Sequence, residues 1–588
     1  MQETKSLESP MAKTIAELLV ETLKNAGVKR VYGLPGDSLN GFTDALRRDG
    51  TLEWIHVRNE EVAAFAAGAD AHLTGSLAVC AASCGPGNLH LINGLFDCHR
   101  SRVPVLAIAA HIPSTEIGTN YFQETHPQNL FKECSDYCEM VGIPEQMPRV
   151  LDIAMRTAIN LSGVAVIVLP GDVFLHNAPD DHSGPPIRVA RPLIRPNDEE
   201  LREAAEILNA GKKITILGGA GCKDAHSELM TTAEALKSPI VHALRGKEYI
   251  EYDNPYDVGL TGLIGFSSGY HAMEDCDVLL MLGTDFPYAQ FFPKHAKVIQ
   301  IDIRGNQIGR RTRVDLGLVG SIKDTLAVLL PLLDKKSDRT HLDAKTKDYK
   351  KVREGLEELA SADDNKTPIH PQYLSTLIDR LAADDAIFTC DVGTPTVWAA
   401  RYLTMNGRRR LLGSFSHGSM ACAVPQAIGA QSAFPGRQVV TLSGDGGLAM
   451  MLGDLLTLRQ QKLPIKMVVF NNGALAFVEL EMKAAGIVTY ATDLDNPSFA
   501  AMANAIGIQG IRVEQPDHIE SALQTAFATP GPALVEVMVN RLELSMPPHI
   551  SLEQMKGFSL YMARSVFSGR GDEIVDLAKT NVLQRMLS

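Results

Sequence analysis

From Thr14 the chain alternates helical hydrophobic patterns with short apolar runs. "TIAELLVETLKNAGV" repeats apolar positions at helical spacing, and "RVYGLPG", "AVCAA", "PVLAIAA" and "AVIVLPGD" follow as runs too short for helices. Strands of this kind, separated by helical stretches, predict a parallel α/β sheet. The first unit closes near residue 190, where "GPPIRVARPLIRP" reads as a linker. A second unit has strands "KITILGGAG", "VLLMLGTDF" and "KVIQIDI". It ends in "DKKSDRTHLDAKTKDYKKVREGLEELA", a charge run whose default reading is a solvated helix face. The third starts near "IHPQYLSTLIDRL", carries "AIFTCDVG", "QVVTLSGDGG", "IKMVVFNNG" and "ALVEVMV", and stops near residue 542. The fold class is therefore α/β: three consecutive parallel-sheet domains over 1–192, 193–345 and 346–542, then a tail over 543–588.

Composition narrows the function classes. At 588 residues with 45% hydrophobic positions the chain can bury several cores. A net charge of -13 argues against a general nucleic-acid binder, which would need clustered Lys and Arg. Nine cysteines, none in a CxxC pair, suggest neither a disulfide framework nor a zinc site, and fit a reduced cytosolic setting. Cys80, Cys84, Cys134 and Cys138 fall at helical spacing, but small buried hydrophobes are their better reading. No stretch reaches the roughly 18 apolar residues that span a bilayer. The start, "MQETKSLESP", lacks the apolar region of a secretory signal and reads as a disordered extension before Met11.

The strongest chemical signal is "GDGGLAMMLGDLLTLRQQKLPIKMVVFNNG". Gly444, Asp445 and Gly446 follow one apolar strand, and Asn471 and Asn472 end the next. That spacing fits a strand end, a crossover helix and a neighbouring strand end, bringing both polar groups to the carboxyl edge of a sheet. Asp445 and the Asn472 oxygen are hard ligands suited to Mg²⁺, which can bridge the protein to a diphosphate. The glycines permit close approach of phosphate oxygens. Gly-Asp-Gly alone is a common turn; the Asn pair at this distance makes it specific.

This block resembles the thiamine-diphosphate motif of the family that includes pyruvate oxidases, acetolactate synthases and benzoylformate decarboxylases. The resemblance implies that Asp445, Asn472 and the Ala474 carbonyl hold the metal. It further implies a thiamine diphosphate site built from Gly418, Ser419, Met420, Asp445, Gly446, Gly447, Asn472, Gly473, Ala474, Leu475, Ala476, Phe477 and Val478. Met420 would prop the thiamine into its bent shape; plain core packing is its other reading. In the first domain, "VRNEEVAAFAAGADAHLTG" matches the family's activating glutamate at Glu60. A carboxyl group among so many Ala, Val and Phe neighbours should be desolvated, which disfavours its charged form and lets it share a proton with a pyrimidine nitrogen. Glu61 would point elsewhere. Taken alone, Glu60 would more often be a capping carboxylate. The family commonly has His before this Glu, and here it is Asn59. The resemblance also implies a homo-oligomer, a tetramer, with Glu60 and Asp445 meeting across subunits.

Longer stretches narrow the resemblance. "SCGPGNLHLINGLFDCHRSRVPVLAIAAHIPSTEIG", "YFQETHPQNLF", "PIVHALRGKEYIEYDNPYDVGLTGLIGFSSG" and "FTCDVGTPTVWAARYL" are similar to the flavin-containing, membrane-activated bacterial pyruvate:quinone oxidoreductases. The resemblance makes the first domain pyrimidine-binding, the third diphosphate-binding and the central one an FAD site. FAD would be held by Thr261, Gly262, Leu263, Ile264, Thr284, Asp285, Phe286, Pro287, Tyr288 and Asp302. It implies pyruvate as substrate, decarboxylated to acetate with electrons leaving through FAD to a membrane quinone. Phe122, Gln123, Phe477 and Glu481 match pocket residues between the cofactors, with packing the other reading for the aromatics. The pattern has Gly where Ala476 stands, which would stiffen that segment.

The tail carries two apolar stripes at helical spacing: Leu552, Met555, Met562 and Val566, then Ile574, Val575, Ala578, Val582 and Met586. Periodicity alone leaves packing on the enzyme's own surface and insertion into a phospholipid bilayer as equal readings. The resemblance favours the bilayer, with the tail covering the site at rest and docking the otherwise cytoplasmic enzyme on the inner face of the plasma membrane. The rivals are an acetolactate synthase, a phosphate-dependent oxygen-using oxidase, and a non-catalytic flavin-binding peripheral membrane protein.

Overall fold

A computed structural model describes residues 13–179, 192–360, 367–543, 552–567 and Leu577. Among them, eighteen strands form three six-stranded sheets. The first sheet holds β1 (Arg30–Gly33), β2 (Glu53–His56), β3 (Ala78–Ala82), β4 (Val105–His111), β5 (Tyr137–Met140) and β6 (Val164–Pro170), in the order β2-β1-β3-β4-β6-β5. The second holds β7 (Ile214–Gly218), β8 (Ile240–His242), β9 (Asp257–Leu260), β10 (Val278–Leu282), β11 (Lys297–Asp302) and β12 (Leu316–Val319), in the order β12-β11-β10-β7-β8-β9. The third holds β13 (Ile387–Cys390), β14 (Arg410–Gly413), β15 (Val439–Gly444), β16 (Lys466–Asn471), β17 (Gln509–Val513) and β18 (Ala533–Met538), in the order β14-β13-β15-β16-β18-β17.

Every pairing is parallel, as the helix-separated apolar runs predict. Parallel strands are covered by helices on both faces, so central strands such as β4 and β6 are buried along their whole length and read as unbroken apolar runs. In each sheet the chain leaves its first strand in one direction and later returns to build the other, which opens a crevice at the carboxyl ends of β1 and β3, of β7 and β10, and of β13 and β15. Ligands of doubly wound sheets bind in such crevices.

The first and third domains share one core, centred on the helix Glu60–Thr74 against the helix Ala423–Ala433. Small residues make this possible. A Cβ on Gly429 would stand 2.0 Å from the Ala66 carbonyl oxygen, so the two backbones touch. All nine cysteines are free and eight are buried; burial pushes the Cys80, Cys134 and Cys138 thiols up to about 12, as inert packing groups. Among the described residues no group of three or more His, Cys, Asp or Glu is placed to hold a metal.

The first tail stripe lies on a helix, Leu552–Phe567, that packs against the helix Ala476–Ala484. Tyr561 is its buried anchor, while Met555 stays exposed. The side chains of Leu552 and Val566, the second stripe and residues 1–12 lie outside the described residues. No described helix is long and apolar enough to cross a membrane.

Candidate active site

The metal turn is built at the crevice between β13 and β15. Asp445 begins the short helix Asp445–Met450 directly after β15 and is buried. Its Oδ1 accepts the Gly446 amide at 3.0 Å, and its Oδ2 accepts the Gly473 amide at 2.8 Å. Burial pushes its carboxyl up from the usual range, against those donors. Asn472 Oδ1 accepts the Ala474 amide at 3.0 Å, and Gly473 turns the chain with φ +66°, a conformation that favours glycine. The available donors are one carboxylate, one side-chain amide oxygen and one backbone carbonyl. These hard oxygens suit Mg²⁺ but are too few for it alone, so the set fits an ion that also takes phosphate oxygens.

The glycines of this turn are required by proximity. A Cβ on Gly447 would stand 2.4 Å from Asp391 Oδ2, and one on Gly446 would meet Leu475, Leu494 and Met420. Asp391, just past β13, is pushed up to about 7 by burial. Met420 thus lies over the Asp445 turn, in a loop where Gly418 has φ +89°. First-domain groups pin that loop: Asn93 Nδ2 donates to Ser419 Oγ at 3.0 Å, and Phe96 stacks on His417. The turn 473–475 is clamped from its other side, with the Leu494 amide donating to Gly473 and the Leu475 amide to Thr492.

Glu60 is the first residue of its helix and is buried. Its Oε2 lies 2.9 Å from His90 Nδ1, and a Cβ on Gly87 would stand 2.9 Å from its Oε1. Asn59 caps the same helix by accepting the Glu61 amide at 2.9 Å. That accounts for its departure from the family pattern: the position before Glu60 serves the helix, and His90 comes to the carboxyl group from the neighbouring helix Pro86–Ser101. Glu61 points elsewhere, accepting from Asn93 Nδ2. Within one chain the Glu60 and Asp445 carboxylates share no hydrogen-bond partner.

The second-domain crevice gathers the residues assigned to a flavin. Thr261 to Ile264 follow β9, Thr284 to Tyr288 follow β10, and Asp302 ends β11. Thr261 Oγ1 is buried with no hydrogen-bond partner, and Gly262 takes φ +102°. An orphaned hydroxyl beside a left-handed glycine is what a polar ligand would complete. Phe286 and Tyr288 form an edge-on aromatic pair, and Asp302 accepts the Arg304 amide at 2.9 Å. Sequence reasoning missed the other wall. After β7, Gly219 and Gly221 press on Gly283 and Thr284, where a Cβ on Gly219 would stand 2.6 Å from the Gly283 carbonyl. The signal was the "GGAG" that ends the strand.

The remaining pocket residues are spread apart. Phe477 is partly buried against the third-domain core, on the helix Ala476–Ala484, and Glu481 is exposed on the same helix. Gln123 holds φ +64°, a strained position for a residue with a side chain, and receives the Cys84 thiol at 3.2 Å. Phe122 beside it is 77% exposed.

The three domains meet at a small cavity lined by His72, Asp97, Arg245, Glu248 and Gln426 among others. Asp97 accepts from Ser414 Oγ at 2.7 Å and from Gln426 at 3.3 Å, yet burial pushes its carboxyl up to about 6. A folded-state value above the unfolded one means stability that is full below about pH 4 and lost as pH rises through 6, about 3 kcal/mol in all. Asp97→Asn is expected to remove that slope, so variant and wild-type melting curves separate between pH 4.5 and 7.5; parallel profiles would refute it.

Three family models match the chain. They describe the N-terminal TPP binding domain of thiamine pyrophosphate enzymes over residues 13–130, the central domain over 201–329 and the C-terminal TPP binding domain over 391–537. A putative thiamine pyrophosphate-containing protein, YdaP, of Bacillus subtilis is 37% identical over 97% of this chain and 99% of its own length. A pyruvate oxidase of Lactiplantibacillus plantarum is 30% identical over 89% of this chain and 88% of its own. The large subunit of acetolactate synthase isozyme 2 of Escherichia coli is 31% identical over 90% of this chain and 96% of its own.

Proposed function

This chain belongs to the thiamine pyrophosphate-dependent enzymes, and we propose that within them it converts pyruvate, water and a membrane quinone to acetate, CO₂ and quinol, with FAD as the electron carrier. Bound thiamine diphosphate supplies the electron sink that lets CO₂ leave. Glu60 holds the proton shared with the pyrimidine nitrogen. Asp445, Asn472 and the Ala474 carbonyl hold Mg²⁺, and Thr261 with its neighbours holds FAD. Phe122 and Gln123 face a partner subunit in a homotetramer, which accounts for the exposure of Phe122.

The observation that carries the oxidase reading is the packing of the tail helix on the helix bearing Phe477 and Glu481. Gly557 lies so close that a Cβ there would stand 1.9 Å from the Ala484 carbonyl oxygen. Arg564 Nη1 donates to the Gly486 carbonyl at 2.7 Å, and Lys483 Nζ sits 5.7 Å from the centre of the Tyr561 ring. The tail helix thus rests on the C-terminal end of the helix that carries Phe477 and Glu481. A tail that leaves for the bilayer would deliver the enzyme to its lipid-soluble acceptor and free that helix.

The test is pyruvate-dependent reduction of a quinone analogue by protein loaded with thiamine diphosphate, Mg²⁺ and FAD, with and without liposomes, assaying acetate. Acetate with strong lipid stimulation is expected, and a chain ending near residue 550, which removes the whole tail helix Leu552–Phe567, should be active without lipid and no longer bind liposomes. Acetate without stimulation would remove the switch and keep the oxidase. Acetolactate as product would move the chain to its second reading, which the full-length likeness to the acetolactate synthase subunit supports.

A further inference from the structure

We infer that Asn496, outside the metal-binding motif, is the positioning residue that fixes Asp445 as a metal ligand. Asn496 Nδ2 donates to Asp445 Oδ2 at 2.8 Å and lies 3.2 Å from Asn471 Oδ1. With the Gly473 amide, Oδ2 has two donors, while Oδ1 has only the amide of its own neighbour, Gly446. Donors on one oxygen fix the rotation of a carboxylate and leave the other oxygen's lone pairs for a cation. Oδ1 is thus the oxygen presented to the metal.

The geometry beneath Asn496 suits that role. Asn471 Nδ2 donates to Glu536 Oε1 at 2.9 Å, and Arg512 Nη1 donates to the same oxygen at 3.0 Å. Glu536 is fully buried, and its Oε2 accepts both Ser498 Oγ and the Ala500 amide at 3.0 Å. Ser498 also caps the helix Phe499–Ala505 through the Ala501 amide. The segment carrying Asn496 is therefore pinned two residues later by one buried carboxylate and two residues earlier by the Leu494 amide on the Gly473 carbonyl. Anchors of this density are more than a surface loop needs. They hold one amide group against one ligand oxygen, and the run from Asp445 through Asn496 and Asn471 to Glu536 ties the ends of β15 and β16 to β18.

The inference rests on reading Asp445 as a metal ligand, so the experiment includes a test of that reading. Mn²⁺ binding is measured by calorimetry and by its electron paramagnetic resonance spectrum, with thiamine diphosphate present, on wild type, Asn496→Ala and Asp445→Asn. Asn496→Ala is expected to bind Mn²⁺ about 10 to 100-fold more weakly, the usual cost of losing a group that orients a ligand. Its half-saturation for Mg²⁺ in turnover should rise while kcat at saturating Mg²⁺ changes little, a split that general damage to the fold would not produce. Asn504→Ala, which loses the bonds from the helix Phe499–Ala505 to Gly510 of β17, should bind Mn²⁺ as the wild type does. Should Asn496→Ala fail to fold, Asn496→Leu keeps the width without the donor and is read in its place. Wild-type affinity in the Asn496 variant with loss in Asp445→Asn overturns the positioning role alone. Wild-type affinity in both overturns the metal site itself.

Discussion

Glu60→Gln is expected to lower turnover by about a hundredfold to ten-thousandfold, the range a positioned acid–base group contributes. Glutamine keeps the length and volume of glutamate, so the contacts with Gly87 and the Ala-rich helix persist and His90 still meets a polar atom. What it cannot do is hold and return a proton at the carboxyl oxygen. Burial favours that function in the side chain itself: Glu60 is buried at the start of its helix, with Ala63, Ala64 and Phe65 buried beside it. The variant should still bind Mn²⁺ with wild-type affinity, because the oxygen ligands and the donors that hold Asp445 belong to the third domain and not to Glu60. Steady-state turnover beside cofactor titration checks this. A rate within tenfold of wild type would remove Glu60 from the chemistry and revive a non-catalytic reading of the chain.

Eleven strands are legible in the sequence; of the seven that are not, β8 and β9 are buried throughout but only three and four residues long, and the rest are incompletely covered edges. β2, β5, β9, β12, β14 and β17 are sheet edges, and β8 lies next to an edge. An edge strand is covered less completely, so "EWIH", "YCEM" and "QGIRV" mix charged and apolar positions where β4 and β6 do not. The metal turn is legible because it is local: one strand end, one helix and the next strand end fix Asp445 and Asn472 in sequence as well as in space. Asn496 and His90 are not legible. Each reaches its carboxylate from a separate element, at a separation of 51 residues for Asn496 and 30 for His90, so nothing local pairs either with its partner. Asn59 is a third case. Its identity follows from helix capping, a local requirement that comparison with a family pattern hides.

Glu248→Ala should cost about 3 to 5 kcal/mol of stability, the penalty for leaving buried polar partners without their charge. Glu248 belongs to the second domain, yet its carboxylate receives His72 Nε2 of the first domain at 3.2 Å, and Arg410 Nε and the Leu411 amide of the third at 2.7 and 3.2 Å. It is bonded to both other domains, as is Arg245, which donates to the Ser101 carbonyl of the first and to Ser416 Oγ of the third. Burial alone would raise its carboxyl; the His72 hydrogen bond and the Arg410 charge outweigh that and hold it well below the usual range. His72 itself is lowered by burial, with the Glu248 hydrogen bond acting against that. Removing the carboxylate strands the Arg410 guanidinium, which keeps only the Tyr249 hydroxyl at 3.3 Å and the face of its ring. Because the folded-state value is depressed, the contribution is present above the unfolded carboxylate range near pH 4 and is lost as pH falls below it. Glu248→Gln, which keeps hydrogen-bonding atoms without charge, should therefore be less stable than wild type at pH 7 and approach it in acid. Chemical denaturation at both pH values decides the matter. A midpoint for Glu248→Ala equal to wild type at pH 7 would mean that the domains are held by their shared apolar core alone.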